Sequence, residues 1–114
     1  MAWNPLSRLG GDADAHSIDP DEFEEAVKLG TCVVVDVREA HEYSAGHIPN
    51  SVSMPLSTFD PERLPADKPV VLTCQSGVRS QKALMITQKA GRDDVRHYRG
   101  GFAGWRARGG ESAR

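Results

Sequence analysis

Hydrophobic and polar positions along the chain fall into two recurring patterns. Two short continuous runs rich in valine, at 32–36 and 69–73, are typical of strands covered on both faces of a parallel sheet. Weaker alternation predicts two further short strands, at 51–54 and 95–98. Apolar residues at helical spacing occupy segments between these runs. The pattern therefore predicts strands that alternate with helices.

The predicted helices carry start and stop signals. Asp19 and Glu22 fit the two halves of a capping box, and Gly30 and Gly91 stand where a left-handed residue ends a helix. The helical segments are 20–29, 38–45, 80–89 and 102–105, with a helical turn or two between 56 and 69. Their expected core-facing residues are Phe23, Ala26, Val27, Ala83, Leu84, Ile86, Phe102 and Trp105.

A chain of 114 residues has room for one α/β domain. Alternating strands and helices predict a mostly parallel central sheet with helices on both faces. We expect a flexible leader at 1–15, the domain at 16–109 and a frayed carboxyl terminus at 110–114. Ligands of such sheets bind beyond the carboxyl ends of the strands. Cys74, directly after the second valine-rich run, is therefore placed at the expected site.

Composition narrows the classes of partner. The formal net charge is −2, so there is no electrostatic argument for binding nucleic acid or an anionic membrane surface. No apolar run approaches the roughly 20 residues that cross a bilayer, and the amino terminus lacks the pattern of a secretion signal. The two cysteines, Cys32 and Cys74, lie in segments of different character, and we expect free thiols in a reducing cytoplasm.

Cys74 lies between a strand and a helix, where the amides of residues 75–79 can surround its sulfur as donors. This position, with Arg79 nearby, lowers the pKa of a thiol and favours the nucleophilic thiolate. Gly77 permits the tight curvature or positive φ of a closed loop. A lone cysteine is more often a buried small hydrophobe, but the spacing of Gly77, Arg79 and Ser80 favours an anion-binding turn. We expect this sulfur to be ionised and open to solvent.

The loop from Cys74 to Ser80 resembles the active-site loop of rhodanese domains: cysteine, two residues, glycine, one residue, arginine and serine. Other motifs of that family have counterparts before and after the loop. They are the segments 35–38, 42–43, 46–51 and 54–56, and the segment 100–105. The resemblance covers about 16–109. It departs mildly at Asn50, where many relatives have glycine, and at Ser53, where many have asparagine.

The resemblance implies a three-layer rhodanese-like fold and ping-pong sulfur transfer through a persulfide on Cys74, with no metal or organic cofactor. The substrate-binding residues it implies are Gln75, Ser76, Gly77, Val78 and Arg79. The donor is a small sulfur-containing anion such as thiosulfate, and the acceptor is cyanide, a cellular thiol or a protein. We expect a monomer or weak dimer in the cytoplasm that binds neither nucleic acid nor a membrane.

The sequence also suggests roles for residues other than Cys74 and its binding loop. Asp36 and Arg38 follow the first predicted strand, and two readings stay open: they brace the cysteine loop, or they form a surface ion pair or helix cap. Ser80 is expected to cap the next helix. Cys32 is expected to be a core residue, because neither a cation nor a glycine turn stands near it in the sequence.

None of the four histidines is expected to be catalytic. His47 lies in a Gly-His-Ile-Pro turn that looks structural in the family. The other three, His16, His41 and His97, lack the spacing and the cysteine or carboxylate company of a zinc site.

Two other functions stay open. Cell-cycle dual-specificity phosphatases share the fold and use a cysteine loop that ends in arginine, but their loop is one residue longer than the interval from Cys74 to Arg79. The longer loop encircles a phosphate, whereas the shorter one suits a sulfur-sized group. The second alternative is a regulatory or sulfur-relay module. Inactive modules usually lack the cysteine, and a relay protein would use thiosulfate poorly.

Overall fold

The structure is a computed structural model that describes residues 16–114, so the leader at 1–15 lies outside the described residues. Its centre is a four-stranded sheet in which every pairing is parallel, in the order β2-β1-β3-β4. The strands are β1 (Val33–Asp36), β2 (Val52–Ser53), β3 (Val70–Thr73) and β4 (Arg96–His97). The four predicted strands and their parallel arrangement are confirmed.

Four α-helices surround the sheet. They are α1 (Pro20–Leu29), α2 (Ala40–Ala45), α3 (Val78–Lys89) and α4 (Gly101–Ala107), with 3-10 turns at Leu56–Thr58 and Pro61–Arg63. Each predicted helical segment is present, but some bounds differ. Helix α2 begins later than predicted, α3 begins earlier, and α4 is longer at both ends. Within residues 16–114, none of the helices combines the length and the apolar character needed to cross a bilayer.

Helix α1 begins and ends where its signals predict. The Asp19 side chain accepts hydrogen bonds from the amides of Asp21 and Glu22, at 3.0 and 3.2 Å, and Gly30 ends the helix with φ +68°. The Glu22 carboxylate, predicted to complete the capping box, instead contacts Arg96 on β4 at 3.2 Å. A partner from the sheet therefore replaces the local backbone contact.

Successive residues of the two central strands point to opposite faces of the sheet. On one face, the buried cluster contains Ile18, Phe23, Val34, Ile48, Val71, Tyr98 and Trp105. On the other face, it contains Val35, Val37, Leu64, Val70, Leu72, Cys74, Ala83, Leu84 and Val95. Helices α1 and α4 thus cover one face and α3 covers the other, as the fold class predicts.

The buried stripe of α3 differs from its predicted apolar face. Ala83 and Leu84 are buried as expected, but Ile86 is 41% exposed. Ser80 and Thr87 complete the buried stripe at positions i, i+3, i+4 and i+7. The Thr87 hydroxyl donates to the carbonyl of Ala83 at 2.8 Å, which satisfies it inside the core. The buried stripe of α3 therefore includes two hydroxyls that the prediction did not place in the core.

The carboxyl-terminal residues contact the domain. Ala113 and His47 exchange two backbone hydrogen bonds, at 2.9 and 2.8 Å. The indole nitrogen of Trp105 donates to the carbonyl of Glu111 at 2.7 Å. These contacts hold residues 110–114, for which the sequence predicts fraying, against the domain.

The start of α4 joins the cysteine loop through the backbone. The amides of Phe102 and Ala103 donate to the carbonyls of Cys74 and Gln75, at 2.7 and 3.1 Å. Gly101 has φ +65°, and a Cβ there would lie 2.7 Å from the Cys74 oxygen and would overlap the Gln75 carbonyl. The loop therefore requires a glycine at this contact.

We expect Gly101→Ala to lower the free energy of unfolding by about 2 to 5 kcal/mol, because strain at positive φ adds to the clash with two carbonyls. Gly91→Ala is the matched control, since Gly91 also has positive φ (+96°) but nothing within 4 Å of its added Cβ. Its loss should be about 1 to 2 kcal/mol. Urea unfolding followed by circular dichroism measures both, and equal losses would contradict the close approach.

Candidate active site

The candidate site lies at the carboxyl edge of the sheet. Asp36 and Thr73 are paired in the register of β1 and β3, so the segments that follow them leave the sheet side by side. One carries Arg38 and the other begins with Cys74. The Val37 amide donates to the carbonyl of Thr73 at 2.8 Å, which extends the pairing beyond the strands. This is the edge at which parallel sheets bind ligands.

The sulfur of Cys74 lies inside a tight turn formed by the start of α3. The Gly77 amide donates to Sγ at 3.1 Å, and the Ser80 hydroxyl lies 3.7 Å from it. Gly77 has φ +97°, and a Cβ there would lie 2.5 Å from the carbonyl oxygen of Arg99. The predicted curvature at Gly77 is confirmed, and the space around it also excludes a side chain.

Two opposing influences set the pKa of the Cys74 thiol. Burial raises it, but hydrogen bonds from the amide and hydroxyl of Ser80 and from the amides of Ser76 and Gly77 outweigh burial. The pKa of Cys74 therefore lies below its ordinary value. The predicted direction is confirmed, and the turn favours the thiolate.

The expectation that this sulfur is open to solvent is wrong. Cys74 is only 1% exposed and belongs to the buried cluster beneath α3. Its neighbours Gln75, Ser76 and Val78 are exposed instead.

Arg79, the cation at the end of the loop, is paired with an acidic residue. Its guanidinium forms a two-pronged ion pair with Glu42 on α2, with N–O distances of 2.6 and 3.0 Å. This pair lowers the pKa of Glu42 to about 2, chiefly through the hydrogen bond from Arg79. Hydrogen bonds within the turn, rather than the arginine, thus account for most of the lowered pKa of Cys74. Arg79 ties the turn to α2.

Arg38 contacts the cysteine loop, and Asp36 holds Arg38 in place. Both are buried, and the Arg38 guanidinium contacts the Asp36 carboxylate at 2.8 Å. It also donates to the carbonyl of Gly46 at 2.8 Å and to the side-chain oxygen of Gln75 at 3.3 Å. The ring of Phe102 lies 4.6 Å from it. One buried cation therefore connects β1, the loop and α4.

Ser80 does not cap α3, contrary to the prediction. The helix begins at Val78 with Gly77 as its N-cap, so Ser80 already lies in the first turn. Its hydroxyl instead contacts the Gly77 carbonyl at 3.2 Å and the Nδ1 atom of His97 at 3.0 Å. Ser80 is therefore a direct neighbour of the candidate nucleophile, and sequence reasoning assigned no role at the site to His97 or Glu42.

A cavity of about 420 Å³ adjoins the loop. Its lining includes Gln75 of the loop but not Cys74. The cations Arg38, Arg106 and Arg114 line it, together with Glu42. Within this lining Glu42 is paired with Arg79 and Arg38 is paired with Asp36, which leaves Arg106 and Arg114 as its other charged side chains.

The other cysteine and His47 lie in structural positions. The His47 ring stacks on Tyr43 at a centroid distance of 3.7 Å, and its Nδ1 lies 2.7 Å from the Tyr43 carbonyl. Burial raises the pKa of Cys32, while the charges of Arg96 and Lys68 lower it by less. The fold brings Arg96 and Lys68, which are distant in the sequence, close to Cys32. Among residues 16–114, no three histidine, cysteine or acidic side chains form a group that could hold a metal ion.

The rhodanese-like domain model matches residues 19–108, which is most of the chain and includes the whole cysteine loop. The chain belongs to the rhodanese-like domain family. Within this rhodanese-like domain, the departure at Asn50 has a simple explanation. Asn50 has φ +67°, which favours the glycine of many relatives, and asparagine tolerates this region better than most residues.

Curated relatives include sulfurtransferases and proteins without an assigned activity. The domain is 36% identical over 90 residues to the thiosulfate sulfurtransferase GlpE of Pseudomonas savastanoi, covering 77% of this chain and 85% of that protein. It is also 36% identical over 95 residues to the uncharacterised protein slr1261 of Synechocystis. That match covers 82% of this chain but 53% of slr1261, so the chain spans about half the length of that relative.

Solved structures show the same fold. A rhodanese-related protein from Thermoplasma volcanium has a TM-score of 0.76 and 29% identity, with 86% of this chain and 97% of that chain covered. A protein of unknown function from Rhodopseudomonas palustris, described as a possible tyrosine phosphatase, has a TM-score of 0.76 and 28% identity, with 99% and 96% covered. The rhodanese-like α/β fold is therefore shown.

The two thiols should titrate in opposite directions from the ordinary value. In a Cys32→Ser protein, the thiolate absorbance of Cys74 should appear at lower pH than that of Cys32 in a Cys74→Ser protein. At Cys74 the hydrogen bonds lower the pKa by more than burial raises it, whereas at Cys32 burial has the larger effect and raises the pKa. Ultraviolet titration measures both midpoints. A Cys74 midpoint equal to or above that of Cys32 would contradict the assignment.

The ion pair that ties the turn to α2 should be sensitive to acid. Since the pKa of Glu42 falls from 4.5 to about 2, the pair stabilises the fold above pH 4.5, and this contribution is lost as the pH falls towards 2. Glu42→Gln should lower the free energy of unfolding by about 1 kcal/mol at neutral pH, because the partners are partly exposed, and by less in acid. Glu25→Gln, on the exposed side of α1, is the control. Urea unfolding measures the difference in the free energy of unfolding between the wild type and Glu42→Gln. The same difference at neutral and acidic pH would contradict this prediction.

Proposed function

We propose that the protein is a sulfurtransferase that carries a sulfane sulfur as a persulfide on Cys74. The observation that supports this most directly is the inward-pointing Gly77 amide, 3.1 Å from Sγ, in a turn that lowers the pKa of the thiol. A thiolate is the required nucleophile. Membership of the rhodanese-like family and the likeness to a thiosulfate sulfurtransferase support the same reaction.

The proposed reaction has two half-reactions. In the first, the Cys74 thiolate attacks the outer sulfur of thiosulfate, a new S–S bond forms, and sulfite departs with the electron pair of the broken S–S bond. In the second, cyanide, a thiolate or a protein thiol attacks the outer sulfur of the persulfide. The Cys74 thiolate then leaves and is regenerated. The electrons balance without a metal, an oxidant or an organic cofactor.

The loop residues Gln75, Ser76, Gly77, Val78 and Arg79 are the proposed binding site for the transferred sulfur. The outer sulfur of a persulfide lies about 2 Å from Sγ, towards the exposed side of the turn. There the backbone amides stabilise the charge of the transferred group. The 1% exposure of Cys74 favours transfer of a group no larger than one sulfur atom.

The proposed donor is a small sulfur-containing anion. Arg106 and Arg114 line the cavity beside the loop together with Arg38, which is paired with Asp36, and the charges of Arg106 and Arg114 favour an anionic group there. Asp36, Arg38 and Ser80 hold the turn in shape. A reducing cytoplasm is the proposed location, because the reaction needs a free thiol, and a monomer or weak dimer is the proposed state.

A phosphatase and a regulatory or relay module are the competing functions. The possible tyrosine phosphatase among the similar structures is the observation that favours the first. Against it, the Cys74–Arg79 interval is one residue shorter than the phosphatase loop, and Arg79 is already paired with Glu42. A relay module would use the same persulfide with a protein donor.

A thiosulfate:cyanide assay tests the proposal. Wild-type protein should form thiocyanate, and Cys74→Ser should reduce the rate by at least about a thousandfold because the nucleophile is removed. Cys32→Ser is the matched control and should retain the wild-type rate. Equal thiocyanate production by the wild type and Cys74→Ser would rule the mechanism out.

Mass spectrometry separates the competing functions. After exposure to thiosulfate, the Cys74 peptide should gain one sulfur, about 32 Da, and should lose it when cyanide is added. Hydrolysis of a phosphate ester without this gain would favour the phosphatase. Gain of sulfur from a persulfidated protein but not from thiosulfate would favour the relay module.

A further inference from the structure

The Ser80 hydroxyl has one proton and three polar neighbours. Cys74 Sγ lies 3.7 Å away, the Gly77 carbonyl oxygen 3.2 Å and the His97 Nδ1 atom 3.0 Å. Both the sulfur and the imidazole nitrogen can in principle accept this proton. The protonation of His97 therefore decides whether Ser80 can donate to the sulfur.

His97 is held firmly at this position. It is 1% exposed, and its backbone amide and carbonyl bond the carbonyl of His16 and the amide of Ile18, at 2.8 and 3.1 Å. The register with Leu72 on β3 places it on the face of the sheet that α3 covers, together with Val95. The register of the sheet therefore places the ring in contact with Ser80.

The second nitrogen of the ring identifies the tautomer. Within the described residues, His97 Nε2 is buried without a hydrogen-bond partner. A proton on Nε2 would leave a buried N–H donor unsatisfied and would draw the Ser80 proton towards Nδ1. A proton on Nδ1 leaves only a lone pair unpartnered, and orphaned N–H donors are the rarer case in proteins. The neutral ring therefore favours the proton on Nδ1.

We propose that His97 is a positioning residue that donates its Nδ1 proton to Ser80 and so directs the Ser80 hydroxyl at the sulfur of Cys74. This inference rests on the proposed role of Cys74 as the reacting thiol. A thiolate accepts the hydroxyl proton more strongly than the neutral Gly77 carbonyl does, because the bond is charge-assisted. No proton is transferred; the chain of donors fixes which way the Ser80 hydroxyl points.

The charges around the ring are consistent with a neutral imidazole. Burial, followed by the charges of Arg99 and His16, lowers the pKa of His97. Lys82 on α3 lines the same cavity as His97 and Arg99, and Cys74 lies beyond Ser80. A thiolate at Cys74 would favour an imidazolium, whereas burial and the positive groups disfavour it. The pKa of His97 is nevertheless lowered, so the ring keeps one proton at neutral pH.

Nitrogen NMR of the isotopically labelled wild-type protein tests the tautomer without any substitution. We expect His97 to show a protonated Nδ1 and an unprotonated Nε2 at neutral pH. A protonated Nε2 would overturn the proposal, because the Ser80 proton would then point to His97. His47, whose Nδ1 lies against the Tyr43 carbonyl, is the internal reference for an Nδ1–H ring.

Substitution tests the effect on the sulfur. His97→Leu removes the donor, and the midpoint of the Cys74 thiolate absorbance should move to higher pH. His97→Asn keeps a side-chain N–H near the position of Nδ1 and should recover most of that shift. His41→Leu, on the exposed side of α2, is the control and should leave the midpoint unchanged. Subtracting the titration of each variant that also carries Cys74→Ser removes the signal of Cys32.

The dependence on Ser80 separates positioning from a merely structural role. In a Ser80→Ala background, His97→Leu should produce no additional shift of the midpoint, since the hydroxyl that it orients is absent. A full shift in that background would contradict the proposal. The absorbance measurements report ionisation alone. If the wild-type protein formed no thiocyanate but showed the Nδ1–H tautomer of His97 and the expected midpoint shifts in the variants, the proposed function would be overturned and this inference would stand.

Discussion

The site depends on a competition between burial and hydrogen bonding at one sulfur atom. Cys74 is almost fully buried, and burial by itself favours the neutral thiol. The inward amides of the turn and the Ser80 hydroxyl reverse that preference, because each donates to the charged form. The rest of the fold can be understood as the means of holding these donors in place around an otherwise unreactive core cysteine.

Three contacts hold the turn, and each comes from a different part of the chain. Arg38 reaches the Gln75 side chain from the end of β1, and Arg79 is anchored to Glu42 on α2. The amide of Phe102 bonds the carbonyl of Cys74 from the start of α4. A turn held from three sides loses little entropy when it binds an anion, since its donors are already in position.

The arginine of the loop illustrates how the same motif can serve different chemistry. A guanidinium without a carboxylate partner can bind a dianion in the loop, whereas Arg79 is paired with Glu42. The backbone amides are then left as the principal donors at the sulfur. A small, weakly charged sulfur atom suits such a site better than a phosphate, which demands a larger ring of donors and an unpaired cation.

The sequence by itself determined the strands, the parallel α/β fold, the position of Cys74 beyond β3 and the curvature at Gly77. These features follow from residue type and short-range spacing. Only the tertiary structure decided that the sulfur is buried, that Arg79 pairs with Glu42, and that Ser80 faces His97. These partners are 37 and 17 residues apart in the chain. No local sequence pattern predicts these contacts, because the order of the strands and the packing of α2 and α3 bring the side chains together.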